Sequence, residues 1–115
     1  MPAKKLNRIQ TGRPQSSVLF AALGDTTRLA LVEQLGGGGP ASIADLTKGS
    51  RLTRQAITKH LGVLERAGIV HGMRAGRERL FSLDPRPMHK MQDYLDRVSR
   101  RWDEALARLK AFVEE

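Results

Sequence analysis

Apolar residues along this chain follow two spacings, one helical and one alternating, and punctuation by Gly, Pro and capping residues divides them into elements. Over residues 17–23, Val18, Leu19, Ala22 and Leu23 share one side of a short helix that Gly24 ends. Asp25 is a natural cap for a second helix, with Leu29, Val32 and Leu35 on one face, and the glycines at 36–39 followed by Pro40 stop it. Ser42 opens a short third helix. Asp45 stands three residues on, as a capping box requires, Ile43 and Leu46 point inward, and Gly49 closes it. After a tight turn at 50–52, Thr53 caps a fourth helix that runs to Ala67 and stops at Gly68. Its apolar stripe is Ala56, Ile57, Leu61 and Leu64, so Arg54, Gln55, Thr58 and Lys59 fall on the opposite, exposed side. Two alternating runs, 69–74 and 78–83, predict strands joined by a turn at 75–77. The stretch 87–113 predicts one long helix.

The fold class this order implies is mainly α with a small β-hairpin: four helices, two strands and a terminal helix, a winged helix-turn-helix. Residues 1–15 carry Pro2, Gly12 and Pro14 and no periodicity, and read as a mobile basic arm. Residues 16–86 form the DNA-binding domain and 87–115 a dimerisation helix. The glycine run is not a phosphate-binding loop, because no Gly-Lys-Ser/Thr follows it.

Charge changes the picture by its placement. The 115 residues hold 20 Lys and Arg against 12 Asp and Glu, a formal charge of +8. Between positions 48 and 79, eight bases face two acids, whereas from 86 to 115 the charges nearly balance. A basic excess concentrated on the fourth helix and hairpin points to a polyanion. A major groove about 12 Å wide admits one α-helix. Gln55 is suited to an adenine edge, Arg54 or Lys59 to guanine, and Thr58 to a phosphate or a thymine methyl. Arg51 and Thr53 in the turn join the DNA-binding set, and Arg74, Arg77 and Arg79 on the hairpin would reach the flanking backbone or minor groove. His60 either touches phosphate or packs under the turn. His71, on a strand, reads as a surface residue.

At this point the chain resembles the arsenical-repressor-type (ArsR/SmtB) winged-helix regulators. The resemblance covers about residues 18–85. It rests on Leu23-Gly24-Asp25-Thr26-Thr27-Arg28-Leu29, on Ile57-Thr58-Lys59-His60-Leu61 with Leu64-Glu65-Arg66-Ala67-Gly68-Ile69-Val70, and on Gly76-Arg77-Glu78-Arg79. Thr26 stands where the family often has Pro, a change a first helical position tolerates. The resemblance implies a homodimeric repressor, released from DNA by a metal or another effector. Its metal half does not carry over. The family's cysteine-bearing third helix corresponds here to residues 42–48, which have no Cys, and the chain has none elsewhere. On the last helix His89 and Asp93 alone fall short of a tetrahedral set, so neither a metal site nor a cofactor is expected.

The last helix carries the most regular pattern. Met88, Met91, Leu95, Val98, Trp102, Ala105, Leu109 and Phe112 repeat at alternating steps of three and four, with Tyr94, Leu106 and Val113 widening the stripe. Such a helix is roughly 40 Å long, whereas a module of about 70 residues is only about 28 Å across. Part of the seam therefore overhangs, and a homodimer is expected to cover it, with Val18, Leu19 and Phe20 of the first helix as the other half of the interface. Two recognition helices related by a two-fold would meet grooves ~34 Å apart on a palindromic operator. Phe20, Met91, Tyr94 and Trp102 would also line any site for an unidentified small-molecule effector.

The leading reading is a sequence-specific regulator of double-stranded DNA, most simply a repressor. The alternative is a non-specific, nucleoid-type DNA binder. Few aromatics speak against an RNA-stacking sheet, and no nucleophile elbow or paired carboxylates suggest an enzyme. No apolar run approaches the ~20 residues of a membrane span, and no signal peptide is evident, which places the protein in the cytoplasm.

Overall fold

The computed structural model describes residues 14–114. The expectations for the basic arm, save its last two residues, lie outside them. The elements are α1 (Pro14–Leu23), α2 (Thr26–Gly38), β1 (Ala41–Ser42), α3 (Ile43–Thr47), α4 (Arg54–Arg66), β2 (Val70–Ala75), β3 (Glu78–Leu83) and α5 (Pro85–Glu114). The three strands form one antiparallel sheet in the order β1-β3-β2. The wing is thus three-stranded: Ala41 pairs with Phe81 and Ser42 with Leu80, on the side of β3 away from β2.

The caps form where the sequence puts them. Asp25 Oδ2 accepts the Arg28 N–H at 3.0 Å. Ser42 and Asp45 exchange side-chain-to-backbone bonds at 3.1 Å each, a complete capping box. Thr53 Oγ1 accepts the Ala56 N–H at 3.1 Å. At the end of α4, Gly68 takes φ +80. Its N–H donates to Glu65 O at 2.9 Å, and the Ile69 N–H donates to Leu64 O at 3.0 Å. This Schellman closure brings Ile69 down onto Leu64, both fully buried.

The core is one cluster that includes Leu19 and Ala22 of α1, Leu31 and Leu35 of α2, Leu46 of α3, Ile57, Leu61 and Leu64 of α4, Phe81 of β3 and Met91 of α5. Three expectations are corrected here. Leu29 is 47% exposed, and Leu31 takes its place in the core beside Leu35. The helix continues through Gly36 to Gly38 and ends at Gly39 with φ 78, because helix propensity is a weak prior that packing of Leu35 overrides. The first helix begins at Pro14 and the last at Pro85, each earlier than the spacing predicts. No helix among the described residues is long and apolar enough to cross a membrane.

Beyond Val98 every described residue of α5 is exposed. The Cα radius of gyration is 19.2 Å, well above the roughly 13 Å of a compact chain this long. A protruding helix accounts for the excess.

Candidate nucleic-acid interface

Burial of Ile57, Leu61 and Leu64 fixes the rotation of α4 and turns Arg54, Gln55, Thr58 and Lys59 outward. The side chains of Arg54, Gln55 and Lys59 make no hydrogen bond or ion pair with other described residues, nor does Arg51 in the preceding turn. Thr58 Oγ1 donates to Arg54 O at 2.7 Å, which leaves its methyl group and its oxygen lone pairs available. Thr53 Oγ1 accepts the Ala56 N–H in the cap, which orients the α4 N-terminus and leaves the hydroxyl proton free to donate.

The β1–β3 pairing ties the start of α3 to the wing, and this brings together residues far apart in sequence. A cleft of about 280 Å³ is lined by Ser42, Ile43, Ala44, Arg54, Arg77, Glu78 and Arg79. Arg54 from α4 and Arg77 from the wing turn therefore face the same space. Arg74 and Arg77 are exposed and without a described partner.

Arg79 is different. Its Nη2 donates to Glu65 Oε2 at 2.7 Å, and its guanidinium lies 5.2 Å from the centre of the Phe81 ring. Glu65 Oε2 also accepts the Gly72 N–H at 3.3 Å. A Cβ at Gly72 would come within 2.6 Å of Arg79 Nε, so glycine is what allows the guanidinium to cross β2. Arg79 thus staples the wing to α4. Among the three wing arginines this one is engaged within the protein, while Arg74 and Arg77 have no partner among the described residues.

His60 is also engaged within the protein. Its Nδ1 lies 3.3 Å from Arg28 Nη1 and 3.7 Å from Asp25 Oδ2, inside the α2–α4 contact. Arg28 Nε also donates to Ala22 O at 2.5 Å, linking α1 to the same cluster. Of the two readings left open for His60, packing under the turn fits this geometry. The Arg28 N–H bond holds the Asp25 carboxyl below its ordinary range.

His71 is not a bystander either. Its Nε2 lies 2.7 Å from Oδ2 of Asp84, a carboxylate only 7% exposed. Arg86 adds Nε at 3.1 and Nη2 at 2.7 Å, and its backbone N–H at 3.0 Å caps α5. The Arg86 side chain, its N–H and His71 together hold the Asp84 carboxyl far below the usual carboxylate range, against the opposing effect of desolvation. The Asp84 N–H donates to Ile69 O at 2.8 Å. The joint between wing and last helix is therefore one saturated carboxylate.

The interface expected from the terminal helices divides in two. Leu19 and Met91 are buried in the protomer's own core and are unavailable to a partner, and Phe20 packs against that core. Val18, Leu95, Trp102, Leu109 and Phe112 are exposed, Val98 half-buried. The four side chains offered as an effector site do not converge. Phe20 and Tyr94 pack ring to ring at 5.7 Å, whereas Trp102, two turns further along α5, is 64% exposed. Among the described residues no cluster of three or more His, Asp or Glu is placed to hold a metal.

Sequence reasoning missed Glu65, Gly72, Asp84 and Arg28. Gly72 carried a signal, since glycine within a strand marks a close approach. The other three are ordinary charged residues until the fold gives them partners.

Residues 23–72 match a helix-turn-helix domain family. The chain is 38% identical over 87 residues to the HTH-type transcriptional regulator Rv2034 of Mycobacterium tuberculosis, covering 76% of this chain and 78% of that one. It is 35% identical over 79 residues to an uncharacterised HTH-type transcriptional regulator, YuzN, of Bacillus subtilis, covering 64% of this chain and 86% of that one. Among solved structures, an ArsR-like transcriptional regulator from Rhodococcus sp. RHA1 superposes with a TM-score of 0.76 at 31% identity, over 89% of this chain and 95% of that one. An outward cationic helix flanked by a cationic wing, on a fold and sequence shared with these relatives, is the equipment of a DNA-binding transcriptional regulator and not of an enzyme, and the chain belongs to the ArsR-type family of winged helix-turn-helix regulators.

Proposed function

We propose that this protein is a homodimeric repressor that reads a palindromic operator through α4. The observation that carries the reading is the unengaged outward row of α4, Arg54, Gln55 and Lys59, whose first member shares one cleft with Arg77 of the wing. Arg54 and Gln55 occupy the first turn, where a recognition helix reaches base edges, and act as the specificity determinants. Thr58 meets a phosphate or a thymine methyl and Lys59 a guanine or the backbone. Arg51, Arg74 and Arg77 neutralise flanking phosphates, a task that positions the protein without reading sequence.

The dimer follows from α5. Leu95, Trp102, Leu106, Leu109, Phe112 and Val113 are large, apolar and exposed on one helix. All but Phe112 lie within about 60° of one another around an ideal helix, a continuous stripe of the kind that marks an interface. A second copy of the same helix is the occupant that matches it in length and character.

The test is selection from random duplexes, followed by competition. The expected result is recovery of inverted half-sites with centres about one helical turn apart, bound at least a thousandfold more tightly than random duplex. Arg54→Ala and Gln55→Ala should each relax preference at particular bases and cost about 1–3 kcal/mol on the selected site. Random duplex competing as well as any selected sequence would overturn operator reading in favour of a non-specific binder.

A further inference from the structure

A groove of about 320 Å³ runs between α1 and the end of α4, lined by Val18, Ala21, Ala22, Val63, Arg66 and Ala67. It is apolar on its floor, and Arg66, which has no ion-pair partner among the described residues, stands at its rim. The sequence of α5 contains a segment of matching character. Phe112 and Val113 are adjacent and, at 77% and 73%, the most exposed large apolar residues of that helix, and Glu114 follows them.

The symmetry of α5 says which copy supplies that segment. Apolar positions are mirrored about Trp102: Val98 and Leu106 lie four residues either side, Leu95 and Leu109 seven. Two such helices crossing antiparallel on a two-fold axis at Trp102 set Leu95 against the partner's Leu109 and Val98 against the partner's Leu106. The next mirrored pair, Met91 and Val113, cannot meet this way, because Met91 is buried in the core beneath α1. The partner's helix must ride onto α1 at that point. Phe112 also lies five full turns from Tyr94 and so on the same flank of α5. Tyr94 is the residue that stacks on Phe20 of α1. A two-fold perpendicular to both helices keeps like flanks on the same side, so the partner's Phe112 arrives on the side where α1 lies. The chain's own α5 cannot fill the groove, since its exposed stretch from residue 99 to 114 projects about 24 Å away from the core.

We propose that the last turn of the partner's α5 seats the partner's Phe112 and Val113 in the α1–α4 groove, with the partner's Glu114 beside Arg66. This rests on the homodimer reading and extends it. The contact reaches Val63, Arg66 and Ala67 at the C-terminal end of the recognition helix, so each protomer braces the reading head of the other. Glu114 gives up only a loose 4.0 Å contact with Lys110 to do so.

The chain has no cysteine, so introduced ones report without interference. Full-length Ala21→Cys protein is mixed with full-length Val113→Cys protein and treated with a short bis-maleimide. Trp102→Cys alone serves as the check on the axis. Cross-linked species of twice the chain mass are expected in both cases. Arg66→Glu or Glu114→Arg alone should weaken dimerisation about tenfold in sedimentation, and the double variant should recover most of it. A protein that is dimeric, with Trp102→Cys cross-linking but no 21–113 product and no rescue by the charge exchange, would overturn the seating and leave the dimer standing. A protein monomeric at micromolar concentration would overturn both. A 21–113 product from a protein whose Trp102→Cys variant does not cross-link would overturn the axis.

Discussion

Arg77 and Arg79 sit two residues apart on the wing, carry the same charge, and should respond to removal in opposite ways. Arg79→Ala deletes an ion pair with Glu65 at 2.7 Å, both partners being partly exposed, and a cation–π contact with Phe81. An exposed pair contributes about 0.5 kcal/mol and the ring contact about 0.5–1, so the loss is roughly 1–1.5 kcal/mol. A chain of 115 residues has an unfolding entropy of about 0.24 kcal/mol/K, which converts that loss to a fall in Tm of about 4–6 °C. Arg77→Ala deletes no described contact and should move Tm by less than about 2 °C. On DNA the order reverses. Arg77→Ala should flatten the plot of log affinity against log salt by about 0.9, one phosphate contact, whereas Arg79→Ala should leave that slope largely unchanged. Scanning calorimetry at fixed protein concentration and binding titrations from about 50 to 200 mM salt measure both quantities. Equal Tm shifts for the two variants, or an Arg79→Ala protein of wild-type Tm with a flattened slope, would refute the division of labour.

Leu64→Ala empties a fully buried site at the centre of the core and should cost about 2–5 kcal/mol, read as a lower urea midpoint. Leu109→Ala removes a side chain that is 59% exposed in one chain; its burial in a dimer is worth about 1–2 kcal/mol, and symmetry counts it twice. Dimer dissociation constants from sedimentation should therefore rise about 30- to 1000-fold with no loss of helix content. The Asp84 carboxyl is depressed in the folded state by Arg86 and His71. Its stabilising effect is complete above the unfolded value near 3.9 and is lost as pH falls below it. Between pH 5 and 2 the wild-type Tm should accordingly fall more steeply than that of Asp84→Asn, and parallel curves would show that Asp84 is not the linked group.

Local chemistry made much of this fold legible. The caps at Asp25, Ser42 and Thr53 and the glycine stop after α4 are backbone arguments confined to a few residues, and they place α2, α3 and α4. The reading face of α4 was legible because the Ile57, Leu61 and Leu64 stripe leaves one opposite side. What depended on distant partners was not. β1 is two residues long with no alternation and exists only because β3 offers an edge. Leu29 and Leu31 both fit a helical spacing with Leu35, and only the neighbouring helices decide between them. A formal charge says nothing of its counterion, so Arg79 reads like Arg77 until Glu65, fourteen residues earlier, is folded against it. The heptad of α5 was correct as a pattern and ambiguous as a destination: its first turns serve the protomer's core and its later turns do not.

These contacts divide the molecule into a rigid reading unit and an arm that sets its position. Glu65 joins the wing to α4 through Arg79 and the Gly72 N–H, and β1 joins it to α3, so recognition helix and wing are held at two places. That unit meets α5 at Asp84, where β2 contributes His71, the end of β3 the carboxylate, and α5 Arg86. A rotation of α5 at a dimer crossing would be carried through this joint to the wing rather than absorbed by a flexible link. Half-site spacing would then be a property of α5 and its joint. Substitutions in α4 should change which bases are preferred, and substitutions at Trp102 or Asp84 should change the spacing between half-sites that is tolerated.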